Sequence, residues 1–265
     1  MKIYDIFDQE NRISVGTLLY FEKEKSFIIE LSEALDEWNA PLLFSALIKK
    51  GRTTVSRESS LMWVRERVIP SDRQNISAIL ANHKLKEYDE MKFLEISEGK
   101  CSQDSLMIKK TDQLPRYVES RMQRNLTGMF ISGDNEIICF FADDTTRRIP
   151  LNTLPNVSDV EKIMRNEKLF ASGKIGAAGY YITFNDSIDI SAITLHSAGV
   201  SIPVRKKDFL SFIRHSVLDT TETANILSCS RQNIAYLVKQ GQLTPIKENV
   251  MGNLYLKDDV IKSRW

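Results

Sequence analysis

Four consecutive polar residues, Ser-Arg-Gln-Asn at 230–233, carry side chains that can read a nucleic acid. Arg can donate two hydrogen bonds to guanine O6 and N7, and Asn or Gln can pair with adenine, each pair giving about 1–3 kcal/mol of discrimination between bases. Ser230 stands where a helix would begin, so its hydroxyl can accept a backbone hydrogen bond. N–H groups at such a helix start can also bind a phosphate. These residue types indicate contact with DNA rather than catalysis.

A short helix must present these side chains. Ile234, Leu237 and Val238 have the i, i+3, i+4 spacing of a buried helical face, and Gly241 is suited to end the helix. A different interpretation stays open, because Arg, Gln and Asn are also what any solvated helix start would show. Asn233 can instead point along the seam between two helices.

A preceding helix is predicted from Thr220 to Leu227. Asp219 with Glu222 can form a capping box, or Thr220 alone can cap the helix. The three residues at 228–230 are too few for anything but a tight turn, so the two helices form a helix-turn-helix unit. The residues of the first helix predicted to face a core are Ala224, Ile226 and Leu227.

A β-hairpin is predicted after the second helix. The stretch "LTPIKENVMGNLYLKDDVI" (243–261) predicts a short strand, a turn with Gly252, a second strand and a last helix. The whole order, "TTETANILSCSRQNIAYLVKQGQLTPI … GNLYLKDDV", resembles the winged helix-turn-helix of MerR-type regulators and phage excisionases. The resemblance implies that the second helix is a recognition helix and that the hairpin is a wing.

Ten residues are predicted to contact DNA. Those on the first turn of the second helix would reach base edges, those further along it would reach phosphates, and those of the wing would reach the backbone or minor groove. Alternatives remain for Tyr236, which can pack on the wing through Tyr255, and for the whole unit, which can serve only as a protein dock. The predicted DNA-binding residues are Thr221, Ser230, Arg231, Gln232, Asn233, Tyr236, Lys239, Lys247, Asn249 and Asn253.

The charge distribution supports a nucleic-acid partner. The chain is nearly neutral at +1, but from Arg205 onward it carries ten Lys and Arg against six Asp and Glu. The rest of the chain is therefore slightly acidic. This asymmetry places a mild positive field on the segment that holds the predicted helix-turn-helix.

The first block, from about Asn11 to Lys110, is predicted to be α+β. Strands are predicted at "RISVGTLLYF", "KSFIIELS", "SSLMWVRERVIP" and "YDEMKFLEIS", with the charges of "WVRER" pointing outward. A helix is predicted in "SDRQNISAILANHKL", capped by Ser71 or Asp72, with Ile76, Ile79 and Leu80 on one face. Disorder is expected at most in the first dozen residues.

This block resembles the amino-terminal subdomain of HipA-type toxin kinases over about 100 residues. The kinase body has no counterpart, because a Gly-rich phosphate loop, an H-R-D-like loop and a metal-binding D-F-G are absent from the sequence. Phosphoryl transfer is therefore not expected. The matching residues are Gly16, Leu18, Phe27, Pro41, Leu42, Pro70, Arg73, Leu80, Leu85, Asp89 and Leu94.

A connecting helix at 114–128, ended by Gly128, leads into a second block at 129–204. Hairpins are predicted at 135–151 and 179–191, and a helix between them is capped by Ser158 and Glu161. The block resembles a small bacterial α/β family of unknown function, which suggests an accessory binding module. The matching residues are Arg148, Ile149, Leu151, Phe170, Gly179, Tyr180, Ile182, Phe184, Ile188, Asp189, Ile190 and Leu195. Ser187 and Phe184 depart from the family's usual Gly and Trp.

Other chemistries are not indicated. His83, His196 and His215 are scattered, with no Cys or carboxylate at ligand spacing. Asp143 and Asp144 are interpreted as turn residues beside Thr145 and Thr146, and Arg147 and Arg148 as solvated. Three distant cysteines and the lack of an apolar run long enough to span a membrane favour a reducing cytoplasm. No catalytic residue, metal, cofactor or small-molecule ligand is predicted.

The predicted architecture is α+β: two small α+β modules followed by a C-terminal winged helix-turn-helix. The modules are residues 1–113 and 129–204, a linker helix covers 205–218, and the winged unit covers 219–265. The predicted function is that of a bacterial or phage transcriptional regulator that binds double-stranded DNA, as a homodimer or with a partner protein. The alternative is a protein-interaction module of a toxin–antitoxin-like system without direct DNA contact.

Overall fold

The computed structural model describes residues 1–133, 135–155, 157–203 and 206–247. These residues fold into helices and antiparallel sheets, which confirms the predicted α+β class. The chain divides into a larger unit, Met1–Arg205, and a smaller unit, Lys206–Trp265. The predicted wing and last helix, with Asn249 and Asn253, lie outside the described residues.

The first sheet of the larger unit has five strands. They are β1 (Lys2–Asp8), β2 (Ile13–Phe21), β3 (Ser26–Leu31), β4 (Thr54–Val55) and β5 (Leu106–Thr111). Their order is β4-β3-β2-β1-β5, and all neighbours are antiparallel. The first residues are therefore an interior strand and not a disordered terminus. The reason is the buried alternation of Tyr4, Ile6 and Asp8 along β1, which fits a strand with one face against a core.

Four helices accompany this sheet. They are α1 (Leu42–Lys49), α2 (Arg57–Arg65), α3 (Ile76–Asn82) and α4 (Glu90–Ile96). The predicted strands "SSLMWVRERVIP" and "YDEMKFLEIS" are therefore wrong, because α2 and α4 occupy them. Each of these two helices has a side-chain cap: Ser56 Oγ accepts from the N–H of Ser59, and the Asp89 carboxylate accepts from that of Lys92. Each cap satisfies a backbone donor of the first helical turn, although the apolar pattern of these short runs fits a strand as well as a helix.

Two details of this region also differ from the prediction. The helix α3 begins at Ile76 after Asn75, so neither Ser71 nor Asp72 caps it. The charges of "WVRER" do not all point outward, because Arg67 is buried. Its guanidinium lies 4.0 Å from the centre of the Trp63 ring and is paired with Asp104. A buried guanidinium requires such a partner, since an unpaired buried charge is costly.

The core of this region lies between the five-stranded sheet and the helices. Leu18 and Ile29 of the sheet pack in one apolar cluster with Phe44 of α1, Trp63 of α2 and Leu94 of α4. Fully burying one such side chain contributes about 1.5–3 kcal/mol. The cluster therefore fixes the helices that surround the sheet.

The described residues of the remaining part of the larger unit form two smaller sheets and four α-helices. The helices are α5 (Arg116–Met122), α6 (Val157–Arg165), α7 (Glu167–Ala171) and α8 (Ala192–Ala198). The strands are β6 (Leu126–Gly133), β7 (Glu136–Phe141), β8 (Thr146–Pro150), β9 (Lys174–Ile175), β10 (Tyr181–Phe184), β11 (Ile188–Ser191) and β12 (Val200–Ser201). The sheet orders are β12-β8-β7-β6 and β11-β10-β9.

Both predicted hairpins are present, as β7–β8 and β10–β11. Two predicted helix ends are wrong. The helix α5 ends at Met122, and Gly128 lies within β6 opposite Phe140, because the chain must extend there to pair with β7. The helix α6 already begins at Val157, so Ser158 lies inside it and does not cap it.

The two predicted α+β modules pack against each other within the larger unit. Leu19, Phe21 and Ile28 of the first sheet form one apolar cluster with Tyr180 and Tyr181. A bidentate ion pair joins the same two regions, since Arg57 of α2 lies 2.8 and 3.0 Å from the two carboxylate oxygens of Asp189 in β11. The boundary at 114–128 stays a prediction, and the structure shows a shared core on its two sides.

The described part of the smaller unit contains three helices. They are α9 (Lys206–Ser216), α10 (Thr220–Ile226) and α11 (Arg231–Lys239). All three were predicted: α9 as a linker helix from apolar spacing alone, and α10 and α11 from apolar spacing together with capping residues. Ala224 of α10 and Ile234 of α11 are buried.

Candidate nucleic-acid interface

The first helix of the predicted helix-turn-helix begins with a complete capping box. The Asp219 carboxylate accepts from the backbone N–H groups of Thr221 (2.6 Å) and Glu222 (2.8 Å), and Glu222 Oε2 accepts from the N–H of Asp219 (2.8 Å). The hydrogen bond from the Glu222 backbone N–H is the largest cause that lowers the pKa of Asp219, and the nearby Arg231 charge also lowers it. The predicted capping box is confirmed.

The turn between α10 and α11 is closed by backbone hydrogen bonds. The N–H of Ser228 donates to the carbonyl of Asn225 (3.2 Å), and that of Cys229 donates to the carbonyl of Ala224 (3.0 Å). These are the two bonds of a Schellman motif, with Ser228 left-handed at φ 50°. The predicted tight turn is therefore fixed by local bonding.

The second helix starts at its predicted cap. Ser230 Oγ accepts from the N–H of Asn233 at 3.2 Å, which satisfies one donor of the first turn. The helix ends in a second Schellman motif, in which Gly241 (φ 68°) and Gln242 donate to the carbonyls of Val238 and Leu237. The predicted end at Gly241 is confirmed.

Arg231 is held by a residue of the other helix. Its Nη2 donates to Thr221 Oγ1 at 2.8 Å, which brings together two predicted DNA-binding residues that are ten positions apart. A guanidinium has five N–H donors, so this bond orients Arg231 and leaves donors for a second acceptor. The first turns of both helices therefore contribute to one polar surface.

The exposed face of α11 is polar. Gln232, Tyr236 and Lys239 are spaced i, i+4, i+7 and are all exposed, with Tyr236 57% accessible. At 100° per residue these three side chains lie within about 60° of one another, and the buried Ile234 lies on the opposite side. Asn233 and Lys247 are also exposed.

The predicted buried stripe of this unit is only partly correct. Ile234 and Ala224 are buried, whereas Leu237 is half-buried and Val238 is exposed. Ile226 is 67% exposed, and Leu227 is exposed as well.

Outside the helix-turn-helix, the structure pairs His196 with a carboxylate that the sequence did not indicate. His196 Nε2 lies 2.8 Å from Asp143 Oδ2, and Thr145 donates to Oδ1 of the same carboxylate. Burial acts to raise the pKa of Asp143, but the hydrogen bonds from Thr145 and His196 outweigh it and hold that pKa at about 2. The spacing along the sequence does not indicate this pair, since chain folding brings together residues 53 positions apart.

Arg147 and Arg148 were predicted to be solvated, and both are half-buried instead. Arg147 Nη1 donates to the carbonyl of Gly199 at 3.0 Å, next to β12, and Arg148 Nε lies 3.5 Å from a carboxylate oxygen of Glu136 in β7. Both side chains therefore join neighbouring strands of the four-stranded sheet.

A second unpredicted group is the buried Glu30 of β3. Its carboxylate lies 2.9 Å from Arg121 Nη1 and accepts from Thr54 Oγ1 at 3.0 Å. Burial raises the pKa of Glu30, and Arg121 opposes that rise. The sequence contained one signal for this pair, the single Glu in the apolar strand "SFIIEL". A carboxylate that is buried in such a strand needs a cationic partner.

Three further findings limit the kinds of site. In the part of the chain that the structure describes, no group of three or more His, Cys, Asp and Glu residues could hold a metal ion. No helix among the described residues is long and apolar enough to cross a membrane. No protein-family model, curated protein or solved structure matches the chain.

Proposed function

We propose that this chain is a cytoplasmic, DNA-binding regulator that contacts double-stranded DNA through α11. The observation that carries the proposal is the exposed face of Gln232, Tyr236 and Lys239, opposite the buried Ile234 and beside the Thr221–Arg231 pair. A recognition helix needs such a face, with its first turn directed at base edges. The similarity of residues 219–265 to the winged helix-turn-helix of MerR-type regulators is part of this proposal.

The roles of the residues follow from their chemistry. Gln232 pairs with adenine, and Arg231 pairs with guanine or a phosphate in the orientation that Thr221 sets. Tyr236 and Lys239, one and two turns further along, contact phosphates, and Lys247 contacts the DNA backbone next to the wing. The resemblance gives Asn249 and Asn253 the same role.

The charge of the smaller unit supports this partner. Residues 206–247 carry six Lys and Arg against three Asp and Glu. One such unit neutralises few phosphates, so a homodimer on a two-fold symmetric site, or a complex with a partner protein, supplies the remaining affinity. No enzymatic step is part of the proposal.

The test is an electrophoretic mobility shift with genomic fragments of the source organism at about 50 and about 200 mM salt. We expect binding that weakens as salt rises, because phosphate binding releases counterions. Arg231→Ala with Gln232→Ala should lower specific affinity by about 1–3 kcal/mol for each base that is no longer recognised. Lys239→Ala should weaken binding to all sequences and reduce the salt slope by about 1.

The matched control is Arg165→Ala, which removes an exposed helical Arg from the larger unit. It should leave DNA affinity unchanged. Binding that is absent, or that does not depend on salt, would contradict the proposal. If the Arg231→Ala, Gln232→Ala double variant kept the full biological effect, docking to a protein would be the better explanation of the unit.

A further inference from the structure

The loop before α1 and the start of that helix expose three large apolar side chains within six consecutive residues. Trp38 is 94% exposed, Leu42 is 93% exposed, and Leu43 is half exposed. Single exposed apolar residues are common on protein surfaces, but several close together in sequence, including an almost fully solvent-exposed Trp, are uncommon. Trp is also enriched among the residues that dominate binding energy at protein interfaces.

The backbone that carries the exposed side chains is held by local hydrogen bonds. The Asp36 carboxylate accepts from the N–H groups of Trp38 (2.8 Å) and Asn39 (2.9 Å), and Asn39 returns a bond by accepting from the N–H of Asp36 (2.8 Å). Leu35 before the loop and Phe44 after it are buried in the core of the first sheet. The loop therefore holds the backbone of Trp38 in place, which reduces the backbone entropy that binding would cost.

The surroundings of these side chains are acidic. Asp36 and Glu37 are both exposed, and the sequence contains no Lys or Arg between positions 26 and 48. Glu33 is exposed as well, but Arg121 Nη2 lies 3.9 Å from its carboxylate and partly balances its charge. An acidic border around an apolar centre selects a partner with the reverse pattern, apolar in the centre and basic at its edges. It also disfavours DNA and anionic lipid, since both carry negative charge.

One helix is long enough to cover the three apolar side chains. Positions 38–43 span at most about 22 Å even when fully extended, because each residue adds at most about 3.6 Å. A helix of about 18 residues is about 27 Å long and covers that length with its apolar stripe. Helices that dock in this way use anchors at i, i+3, i+4 and i+7.

We propose that residues 36–43 form a docking surface for a basic amphipathic helix of a partner protein. Trp38, Leu42 and Leu43 contact the apolar stripe of that helix, and Asp36 and Glu37 pair with its Lys and Arg side chains. The surface lies in the larger unit and is independent of the DNA contact assigned to α11.

The test measures binding of the full-length chain to a labelled Leu/Lys amphipathic helix of about 18 residues by fluorescence anisotropy, with the corresponding Leu/Glu peptide beside it. We expect the Leu/Lys peptide to bind and the Leu/Glu peptide not to bind. Trp38→Ala and Leu42→Ala should each lower affinity at least tenfold. Glu37→Lys should weaken binding of the Leu/Lys peptide and strengthen that of the Leu/Glu peptide.

The matched control is Val200→Ala, which removes an exposed apolar side chain from β12. It should bind the peptide like the unaltered chain. Equal binding of both peptides, or unchanged affinity in Trp38→Ala, would overturn the proposal. Two other results would also overturn it: self-association of the chain in sedimentation, or its binding to phosphatidylglycerol vesicles, provided that Trp38→Ala abolished the self-association or the vesicle binding. Mobility shifts with DNA on the same variants keep a failure here separate from a failure of the proposed function.

Discussion

At the scale of single residues, the structure distinguishes side chains that shape the chain locally from those that need a distant partner. Ser230 and Asp219 act on backbone N–H groups two or three residues away. Glu30 and Arg121 meet across 91 positions, and the carboxylate is fully buried. Such a pair is sensitive to the removal of one partner, because the other charge then stays buried without compensation.

We expect Arg121→Ala to lower the free energy of unfolding by about 3–5 kcal/mol at pH 7. The pKa of Glu30 is already raised by burial, and removal of Arg121 raises it further. When the pKa of a carboxyl group is higher in the folded than in the unfolded protein, the neutral group favours folding. This contribution is complete below the pKa of the unfolded state and is lost as the pH rises through the pKa of the folded state. The deficit of the variant should therefore shrink as the pH falls toward about 4.

Urea denaturation of the unaltered chain and the variant between about pH 4 and pH 8 measures this effect. The double variant Arg121→Ala, Glu30→Gln is the control, because it removes the uncompensated charge and should recover part of the stability. A deficit that is constant with pH would show that Arg121 acts through packing and its hydrogen bond to the Leu31 carbonyl, and not through its charge.

At the scale of elements, helix ends are set by a few positions with defined backbone geometry. Ser228 and Gly241 are both left-handed and close the last turns of α10 and α11. A Cβ added to Gly241 would have no neighbour within 4 Å, so only the backbone conformation constrains this position. Gly179 differs, since its Cβ would lie 2.1 Å from the carbonyl oxygen of Leu126.

Gly241→Ala should therefore destabilise α11 by about 1 kcal/mol. A left-handed Ala costs about 1–2 kcal/mol, whereas the lower conformational entropy of Ala in the unfolded chain stabilises the folded state by about 0.4–1 kcal/mol. Gly179→Ala should cost more, since its Cβ also meets backbone. Amide hydrogen exchange measures the two destabilisations separately, that of Gly241→Ala in α11 and that of Gly179→Ala in the larger unit. Gly241→Asn, which tolerates the left-handed region, should exchange more slowly than Gly241→Ala.

At the scale of the whole molecule, the larger unit is joined by contacts between its two predicted modules. The ring of Phe21 in β2 lies 6.1 Å from the ring of Tyr180, and Arg57 binds Asp189. A shared apolar cluster couples the stability of the regions on both sides, because one side cannot open without exposing surface of the other.

Phe21→Ala should lower the free energy of unfolding by about 3–5 kcal/mol, as large-to-small changes of buried aromatic residues do. We expect faster amide exchange in β10 and β6 as well as in β2. The control is Phe44→Ala, which belongs to the core of the first sheet and should affect that region first. Faster exchange confined to the first sheet in both variants would mean that the two modules open independently.

The sequence by itself determined the elements whose bonding is local. The caps at Asp219 and Ser230, the end at Gly241 and the hairpin β10–β11 were all predictable, because each depends on residues within a few positions of one another. The proposed DNA-contacting face of α11 follows from the same local pattern.

Only the tertiary structure decided what depends on the path of the chain. Short apolar runs fit a strand or a helix equally well, so α2 and α4 were settled by the sheet and core they pack against. The pairs Glu30–Arg121 and His196–Asp143 and the shared core at Phe21 join residues far apart in sequence. Such contacts arise from the mutual packing of complete elements, and no spacing along the chain records them.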